Sequence, residues 1–194
     1  MSQNLGQIFR AQARKYARRL AIEKRMNGVW QGITWEEYYE SAKQVGLGLY
    51  SLGVKKGDRV SILSSNRLEW VIADMGILGI GGVTIPIYPT VPASEVGYIN
   101  SNSDSVIYIA EDKSAVQRGL ETLNECPLLK KIVVIDTKGV DMANDKLMTF
   151  EQLKKLGKDL DAKEPGLFEK LTDAVQIDDL ATFVYTSGTT GHPK

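Results

Sequence analysis

The chain has 194 residues, of which 43% are hydrophobic and 25% charged, with 24 Lys and Arg against 24 Asp and Glu. This composition suits one large folded domain or part of one, and it excludes disorder of the whole chain. A formal net charge of zero gives no whole-chain reason to expect nucleic acid or an anionic membrane as partner. The single cysteine excludes an internal disulfide and favours a reducing, cytoplasmic setting. With one histidine beside it, a zinc site built from Cys and His is excluded too.

Residues 1–58 are predicted to form a helix, a hairpin and a second helix. Four apolar residues share one face of the first helix, which we expect over residues 5–18: Leu5, Ile8, Phe9 and Tyr16. The Asn27-Gly28 pair lies between β-prone runs at 20–25 and 29–33, which is a strong signal for a tight hairpin. A capping box starting at Thr34 opens the second helix, which ends just before Gly53 as its left-handed cap.

Residues 59–135 alternate between short apolar runs and helical stretches. The predicted strands are Arg59–Leu63, Val83–Ile87, Val106–Ala110 and Lys131–Ile135. The predicted helices between them cover residues 68–80, about 94–102, and 114–125. The apolar runs are continuous rather than alternating, as is typical of strands that helices cover on both faces. We therefore expect an α/β fold with a largely parallel sheet, right-handed crossovers and helices on both faces.

The apolar stretch Val71–Ile87 falls short of the roughly 20 apolar residues that cross a bilayer, so we interpret it as a buried helix leading into a buried strand. Residues 136–179 are predicted as a polar excursion that contains a further capping box at Thr149. This excursion returns the chain to a final strand at Leu180–Tyr185, which opens the last segment, residues 180–194.

That final strand runs directly into a hydroxyl-rich loop, Thr186-Ser-Gly-Thr-Thr-Gly-His-Pro-Lys194, whose composition suits phosphate binding. Gly188 and Gly191 let the backbone approach an anion closely, and Lys194 adds a positive charge. Four side chains can donate hydroxyl hydrogen bonds: Thr186, Ser187, Thr189 and Thr190. Open α/β sheets bind ligands beyond the carboxyl ends of their strands, which is where this loop would lie. Composition alone leaves open an exposed loop without a ligand.

Two common nucleotide-binding motifs do not fit. A Walker A loop needs its lysine directly after the second glycine, whereas His192 and Pro193 separate Gly191 from Lys194. A dinucleotide fingerprint starting at Gly79 would need Gly or Ala where Thr84 stands.

The ten residues from Tyr185 to Lys194 closely resemble the signature loop of the adenylate-forming superfamily, which includes acyl-CoA synthetases, firefly luciferases and peptide-synthetase adenylation domains. Gly57-Asp-Arg-Val60 before a strand and Thr34-Trp35 before a helix agree with that resemblance. Residues 85–90 (Ile-Pro-Ile-Tyr-Pro-Thr) followed by residues 95–99 are similar to the long-chain fatty acyl-CoA synthetase branch. The chain therefore resembles the incomplete N-terminal part of the large, AMP-binding domain of such an enzyme.

The resemblance implies a two-step ligase that uses a fatty acid, ATP, Mg²⁺ and coenzyme A and passes through an acyl-adenylate. The residues that match its phosphate-gripping loop are Thr186, Ser187, Gly188, Thr189, Thr190, Gly191 and Lys194. The family's adenine, metal and acyl contacts and its catalytic lysine lie beyond position 194. We therefore assign no catalytic residue and no metal ligand here, and we expect residues 1–194 alone to be inactive.

The resemblance implies small-molecule partners, and the balanced charge and single cysteine lead us to expect no nucleic acid and a cytoplasmic enzyme. It leaves open a homodimer of the full-length enzyme and a peripheral contact with the inner face of the membrane. Two other functions stay open: another adenylate-forming enzyme, acting on a medium-chain or aryl acid or on an amino acid, or a short, non-catalytic nucleotide-binding protein.

Overall fold

The computed structural model describes residues 3–26 and 28–186. Helix α1 (Leu5–Tyr16) begins at Asn4, which caps it reciprocally with Gln7. Its buried side is formed by Gly6, Phe9 and Ala13, whereas Leu5 and Ile8 of the predicted apolar face are exposed. The helix is turned this way because the Phe9 ring packs edge-on against Tyr38, with ring centroids 4.6 Å apart.

The predicted hairpin and second helix are present. Strands β1 (Leu20–Met26) and β2 (Val29–Thr34) pair antiparallel, and Gly28 has the positive φ of 81° that a tight turn between them requires. Helix α2 (Trp35–Ser51) carries the predicted capping box, and Gly53 follows it with a left-handed φ of 83°.

The central sheet has five strands, all parallel, in the spatial order β4-β3-β5-β6-β7. Its strands are β3 (Arg59–Leu63), β4 (Val83–Ile87), β5 (Ser105–Ala110), β6 (Lys131–Val134) and β7 (Leu147–Thr149). The helices between the first four strands are α3 (Leu68–Gly79), α4 (Ala93–Asn102) and α5 (Lys113–Glu121), the last followed by a 3₁₀ turn at Leu123–Glu125. The first four strands agree with prediction to within one residue, and the parallel α/β fold is confirmed.

Two apolar cores lie on opposite faces of this sheet. On one face Ile62 and Val133 pack with side chains of α2 and α3, and on the other Ile85 and Ile132 pack with side chains of α4 and α5. The chain goes outward from β3 to β4 and then back across β3 to β5, so crossovers of one hand require α3 and α4 on different faces. Within residues 3–26 and 28–186, no helix has the length and apolar character to cross a membrane.

Residues 136–179, predicted as a polar excursion, contribute to the core. They supply strand β7 and two helices, α6 (Phe150–Lys163) and α7 (Leu167–Ala174). The capping box at Thr149 opens α6 as predicted. Helix α6 crosses α2 so closely that a methyl group on Gly157 would collide with the carbonyl of Gln44. Phe168 of α7 is only 1% exposed, packed against Gly79 at the end of α3.

Candidate phosphate-binding site

The chain reaches the hydroxyl-rich loop along the outer edge of β4. The N–H of Thr84 donates to the carbonyl of Ala181 at 2.9 Å, and the N–H of Phe183 donates to the carbonyl of Thr84 at 3.2 Å. The hydroxyl of Thr182 donates to the same Thr84 carbonyl at 2.8 Å. These contacts form one parallel bridge between Thr84 and Thr182 instead of the strand predicted over 180–185.

Proline accounts for the missing strand. Thr84 directs both its N–H and its carbonyl to this outer edge, so the next donor on that edge is residue 86. That residue is Pro86, which has no N–H and cannot continue the ladder. The segment 181–186 is therefore held to the sheet at Thr84 and leaves it beyond that point.

Thr84 also anchors β4 to α3. Its side chain is 1% exposed, and its hydroxyl donates to a carboxylate oxygen of Asp74 at 2.7 Å. Burial raises the pKa of Asp74 above its usual value, and the hydrogen bond from Thr84 partly opposes that rise. Sequence reasoning used Thr84 only to exclude a dinucleotide fingerprint. The signal for its role was a single polar residue inside the apolar run Val83–Ile87.

Tyr185 fastens the end of the described segment to α4. Its hydroxyl donates to the side-chain carbonyl of Asn102 at 2.7 Å, and its ring meets that of Tyr98 edge-on, with centroids 6.5 Å apart. Burial raises the pKa of the Tyr185 hydroxyl, so the group stays protonated as a donor near neutral pH. The backbone immediately before Thr186 is thus positioned by two side chains of one helix.

A cavity of about 360 Å³ lies at the carboxyl ends of β3 and β4, with Val184 at its edge. Ser64, Ser65 and Asn66 form its polar wall, and Trp70 and Tyr88 are among its aromatic lining residues. The volume is in the range of small-molecule sites. The segment leading to the loop therefore borders the end of the sheet at which parallel α/β folds bind ligands.

A charged cluster marks the point where the strand order reverses, between β3 and β5. Glu111, directly after β5, accepts hydrogen bonds from the backbone N–H of Ser65 at 2.6 Å and from its hydroxyl at 2.7 Å. Arg67 contacts the other oxygen of Glu111 at 3.5 Å and pairs with Glu69. Sequence reasoning missed this cluster. Polar residues directly after two apolar strands were the available signal.

Of the seven predicted phosphate-binding residues, Thr186 is described, and it is exposed directly after Tyr185. The other six lie outside the described residues: Ser187, Gly188, Thr189, Thr190, Gly191 and Lys194. Their roles stay predictions. Among residues 3–26 and 28–186, no three or more His, Cys, Asp or Glu side chains gather in a group that could hold a metal ion.

Comparison with known proteins assigns the family. The family model described as AMP-binding enzyme matches residues 9–194, nearly the whole chain. The chain belongs to the AMP-binding enzyme family. This confirms the resemblance found in the sequence, and the matched range includes every predicted loop residue through Lys194.

Relatives of this AMP-binding enzyme chain include CoA ligases. A long-chain-fatty-acid–CoA ligase, FadD15 of Mycobacterium bovis, is 37% identical over 172 residues, covering 89% of this chain and 27% of that protein. A long-chain-fatty-acid–CoA ligase of Xenopus laevis, ACSBG2, is 29% identical over 188 residues, covering 97% of this chain and 25% of that protein. The chain thus spans about a quarter of the length of these relatives.

A solved structure supports the fold. The anthranilate CoA ligase AuaEII, in complex with anthranoyl-AMP, superposes with a TM-score of 0.78 at 23% identity, covering 98% of this chain and 33% of that one. The architecture of the AMP-binding enzyme family therefore extends over nearly the whole of this chain.

A larger cavity, about 570 Å³, lies at the amino ends of β3, β4 and β5, and Phe183 and Tyr185 are among its lining residues. Four of its five charged lining residues form ion pairs: Lys56 with Asp179 at 2.6 Å, and Arg59 with Asp104 at 3.2 Å. The hydrogen bond from Lys56 lowers the pKa of Asp179, as expected for a carboxylate that stays ionised beside a cation. Because these four charged side chains are paired with one another, they are not available to a ligand. We therefore place the candidate site of this family member at the carboxyl ends of β3 and β4.

Proposed function

We propose that this chain is the N-terminal part of a long-chain fatty acid–CoA ligase. In the first step a fatty acid carboxylate oxygen attacks the α-phosphorus of ATP, and the bond to pyrophosphate breaks. In the second, the sulfur of coenzyme A attacks the acyl carbon of the acyl-adenylate, AMP leaves and the thiol proton is released. The observation that carries the proposal is the parallel bridge at Thr84, which holds the segment before a family-matched, hydroxyl-rich sequence at the border of the carboxyl-end cavity.

The contribution of this chain would be positioning and charge neutralisation at the outer phosphates of ATP. Loop hydroxyls and backbone N–H groups donate to phosphate oxygens, and Lys194 balances part of their charge. Rigid donors aimed at phosphate oxygens are effective in such substitutions, because the reaction requires alignment more than new covalent chemistry from the protein.

The magnesium ion of this proposal arrives with the nucleotide and neutralises phosphate charge. The described residues offer no acidic cluster for it, so we assign none of its ligands to them. Coenzyme A and the fatty acid are the other substrates. The cytoplasmic setting that we propose rests on one buried cysteine, Cys126, whose thiol pKa is raised by burial.

The test uses the longer enzyme that contains this sequence, assayed with palmitate, ATP and coenzyme A. Lys194→Ala removes a charge-assisted contact worth roughly 1.5–3 kcal/mol, so kcat/KM for ATP should fall about 10- to 150-fold. Thr189→Ala removes a neutral hydrogen bond of about 1 kcal/mol and should cost about fivefold. Lys158→Ala, at an exposed lysine of α6, is the matched control and should leave kinetics unchanged.

Three outcomes would count against the proposal. Turnover by residues 1–194 alone would contradict the expectation that this part is inactive without the rest of the enzyme. A Lys194→Ala enzyme with normal ATP kinetics would remove the charged contact from the assignment. If an aryl acid, a medium-chain acid or an amino acid is activated while palmitate is not, the enzyme is a different member of the adenylate-forming superfamily.

A further inference from the structure

Residues 88–92 connect β4 to α4 and border the carboxyl-end cavity. Tyr88 and Pro89 are among the residues that line this cavity, and Tyr88 is 67% exposed. Across the cavity lie the polar residues that follow β3 and Val184, which precedes the predicted phosphate loop. The position of residues 88–92 therefore sets one wall of the candidate site.

This connection is poor in backbone donors. Pro89 and Pro92 have no N–H to offer. The N–H of Val91 donates to the carbonyl of Tyr88, but the distance of 3.3 Å is longer than is usual for such a bond. The conformation of residues 88–92 therefore depends on contacts from elsewhere in the chain.

Arg118 of α5 provides such a contact. Its Nη1 donates to the carbonyl of Pro89 at 2.8 Å and to the carbonyl of Val91 at 2.6 Å. Its Nε donates to the carbonyl of Ser114, one turn earlier in α5, at 3.3 Å, which orients the guanidinium. In the described part of the chain, no carboxylate forms an ion pair with Arg118. The cation is thus committed to the two carbonyls, and hydrogen bonds from a charged donor are the stronger kind.

Helix α5 is itself fixed to the central sheet beside Arg118. A methyl group on Gly119 would lie only 2.6 Å from a ring carbon of Tyr108 in β5, so helix and strand are in close contact at that point. Tyr108 is fully buried, and its hydroxyl donates to the carbonyl of Ala115 at 3.0 Å. Arg118 therefore joins the rigid centre of the fold to the wall of the cavity.

We propose that Arg118 is a positioning residue of the candidate site, which holds residues 88–92 where Tyr88 and Pro89 complete the cavity wall. Arg118 is not among the residues that line the cavity, so it acts on a substrate only through this connection. Its role rests on the proposed function, because that reaction is what gives the cavity a substrate. A small displacement of a wall weakens the binding of the molecule that touches it, even when the displaced contact lies outside the site.

The test uses the longer enzyme that contains this sequence and measures kcat and KM for palmitate, ATP and coenzyme A in turn. Arg118→Met removes the donors but keeps an unbranched side chain. KM should rise about tenfold for the one substrate that touches the wall, the lower end of what hydrogen bonds from a charged donor provide, with kcat within about twofold of the parent. Arg118→Lys keeps a cationic donor and should return that KM to within about threefold of the parent. Gln117→Met, at an exposed neighbour in α5 that contacts Glu121, is the matched control and should change neither constant.

Amide hydrogen exchange tests the contact independently of the reaction. In Arg118→Met the amides of residues 88, 90 and 91 should exchange faster, while those of β5 stay as in the parent and Gln117→Met alters neither. Unchanged exchange at residues 88–91, or unchanged KM for all three substrates, would overturn the proposal. A fall in kcat with every KM unchanged, or equal effects in Gln117→Met, would overturn it too. A parent enzyme that activates no acid with ATP would instead refute the proposed function, and the exchange rates would still report whether Arg118 fixes this connection.

Discussion

The central strand β3 and the segment 181–186 are both extended chain beside β4, yet they are held in different ways. Strand β3 pairs with β4 and β5 along all five of its residues, and Val60 and Ile62 are fully buried. The segment makes one bridge, at Thr84, and Val184 is 57% exposed. The strand interior is scaffold, whereas the chain that leads to the candidate ligand loop is attached at a single point. Binding segments are commonly drawn from the least stable parts of a fold in this way.

The largest expected effect is on the free energy of unfolding, when one side chain of each region is truncated to alanine. Ile62→Ala should reduce the free energy of unfolding by about 2–5 kcal/mol, because it leaves a cavity in a closed core. Val184→Ala should change it by less than about 0.5 kcal/mol, since that side chain is largely exposed. Urea unfolding of both variants gives the comparison. A loss at Val184 as large as that at Ile62 would mean that the segment is part of the scaffold.

The next effect concerns the attachment point itself. Thr84→Val keeps the shape of the side chain but removes the hydroxyl that donates a hydrogen bond to Asp74. The largely buried carboxylate of Asp74 is then left without that donor. We expect a loss of about 1–3 kcal/mol in the free energy of unfolding. Thr84→Ser keeps the hydroxyl and is the control. If Thr84→Val and Thr84→Ser reduce the free energy of unfolding equally, packing rather than the hydrogen bond accounts for the role of Thr84.

A smaller effect should appear when the proline that interrupts the ladder is replaced. Pro86→Ala supplies an N–H on the edge that faces residue 183, so the bridge at Thr182 can extend by one hydrogen bond. Greater flexibility of the unfolded chain opposes this gain by about 0.4–1 kcal/mol, so net stability should change little. Amide hydrogen exchange should slow across 183–185, and the N–H that this substitution introduces should itself be protected. Unchanged exchange there would refute the explanation of why the strand stops.

The smallest effect is a pH dependence at Asp74. Burial raises the pKa of this carboxyl in the folded chain above the ordinary value of 3.8, so folding favours its protonated form. The stabilisation that this carboxyl contributes is present below pH 3.8. It is lost as the pH rises through the pKa that Asp74 has in the folded chain. The Asp74→Asn chain should therefore gain stability relative to the parent as pH rises from about 4 to 7. Urea unfolding across that range measures the difference, and the opposite slope would contradict the assigned cause.

Local sequence patterns were sufficient to predict much of the fold and to propose part of the site. The runs Arg59–Leu63 and Val83–Ile87 were predicted at their observed bounds, because continuous apolar character between polar ends is a local property. The capping boxes at Thr34 and Thr149 are equally local, since both partners lie within one helical turn. The loop through Lys194 was predicted from its own residues, and the described segment before it borders the expected end of the sheet at Val184.

Other features depend on residues far apart in the chain. Strand β7 has three residues, too few for any periodic signal, and it exists because β6 offers an edge to pair with. The buried side of α1 was set by contact with Tyr38. Glu111 and Ser65 were brought together by the reversal of strand order, 46 positions apart in sequence.

The sequence by itself determined the first six helices and strands of the chain and most of those that follow, and it predicts the loop, because capping, apolar runs and loop chemistry act between near neighbours. Only the tertiary structure decided that the run before that loop is not a strand. The run has the apolar residues of one, but a parallel strand needs donors from its neighbour, and the neighbour presents Pro86. Strand pairing depends on two segments, so the residues of either segment alone do not determine it.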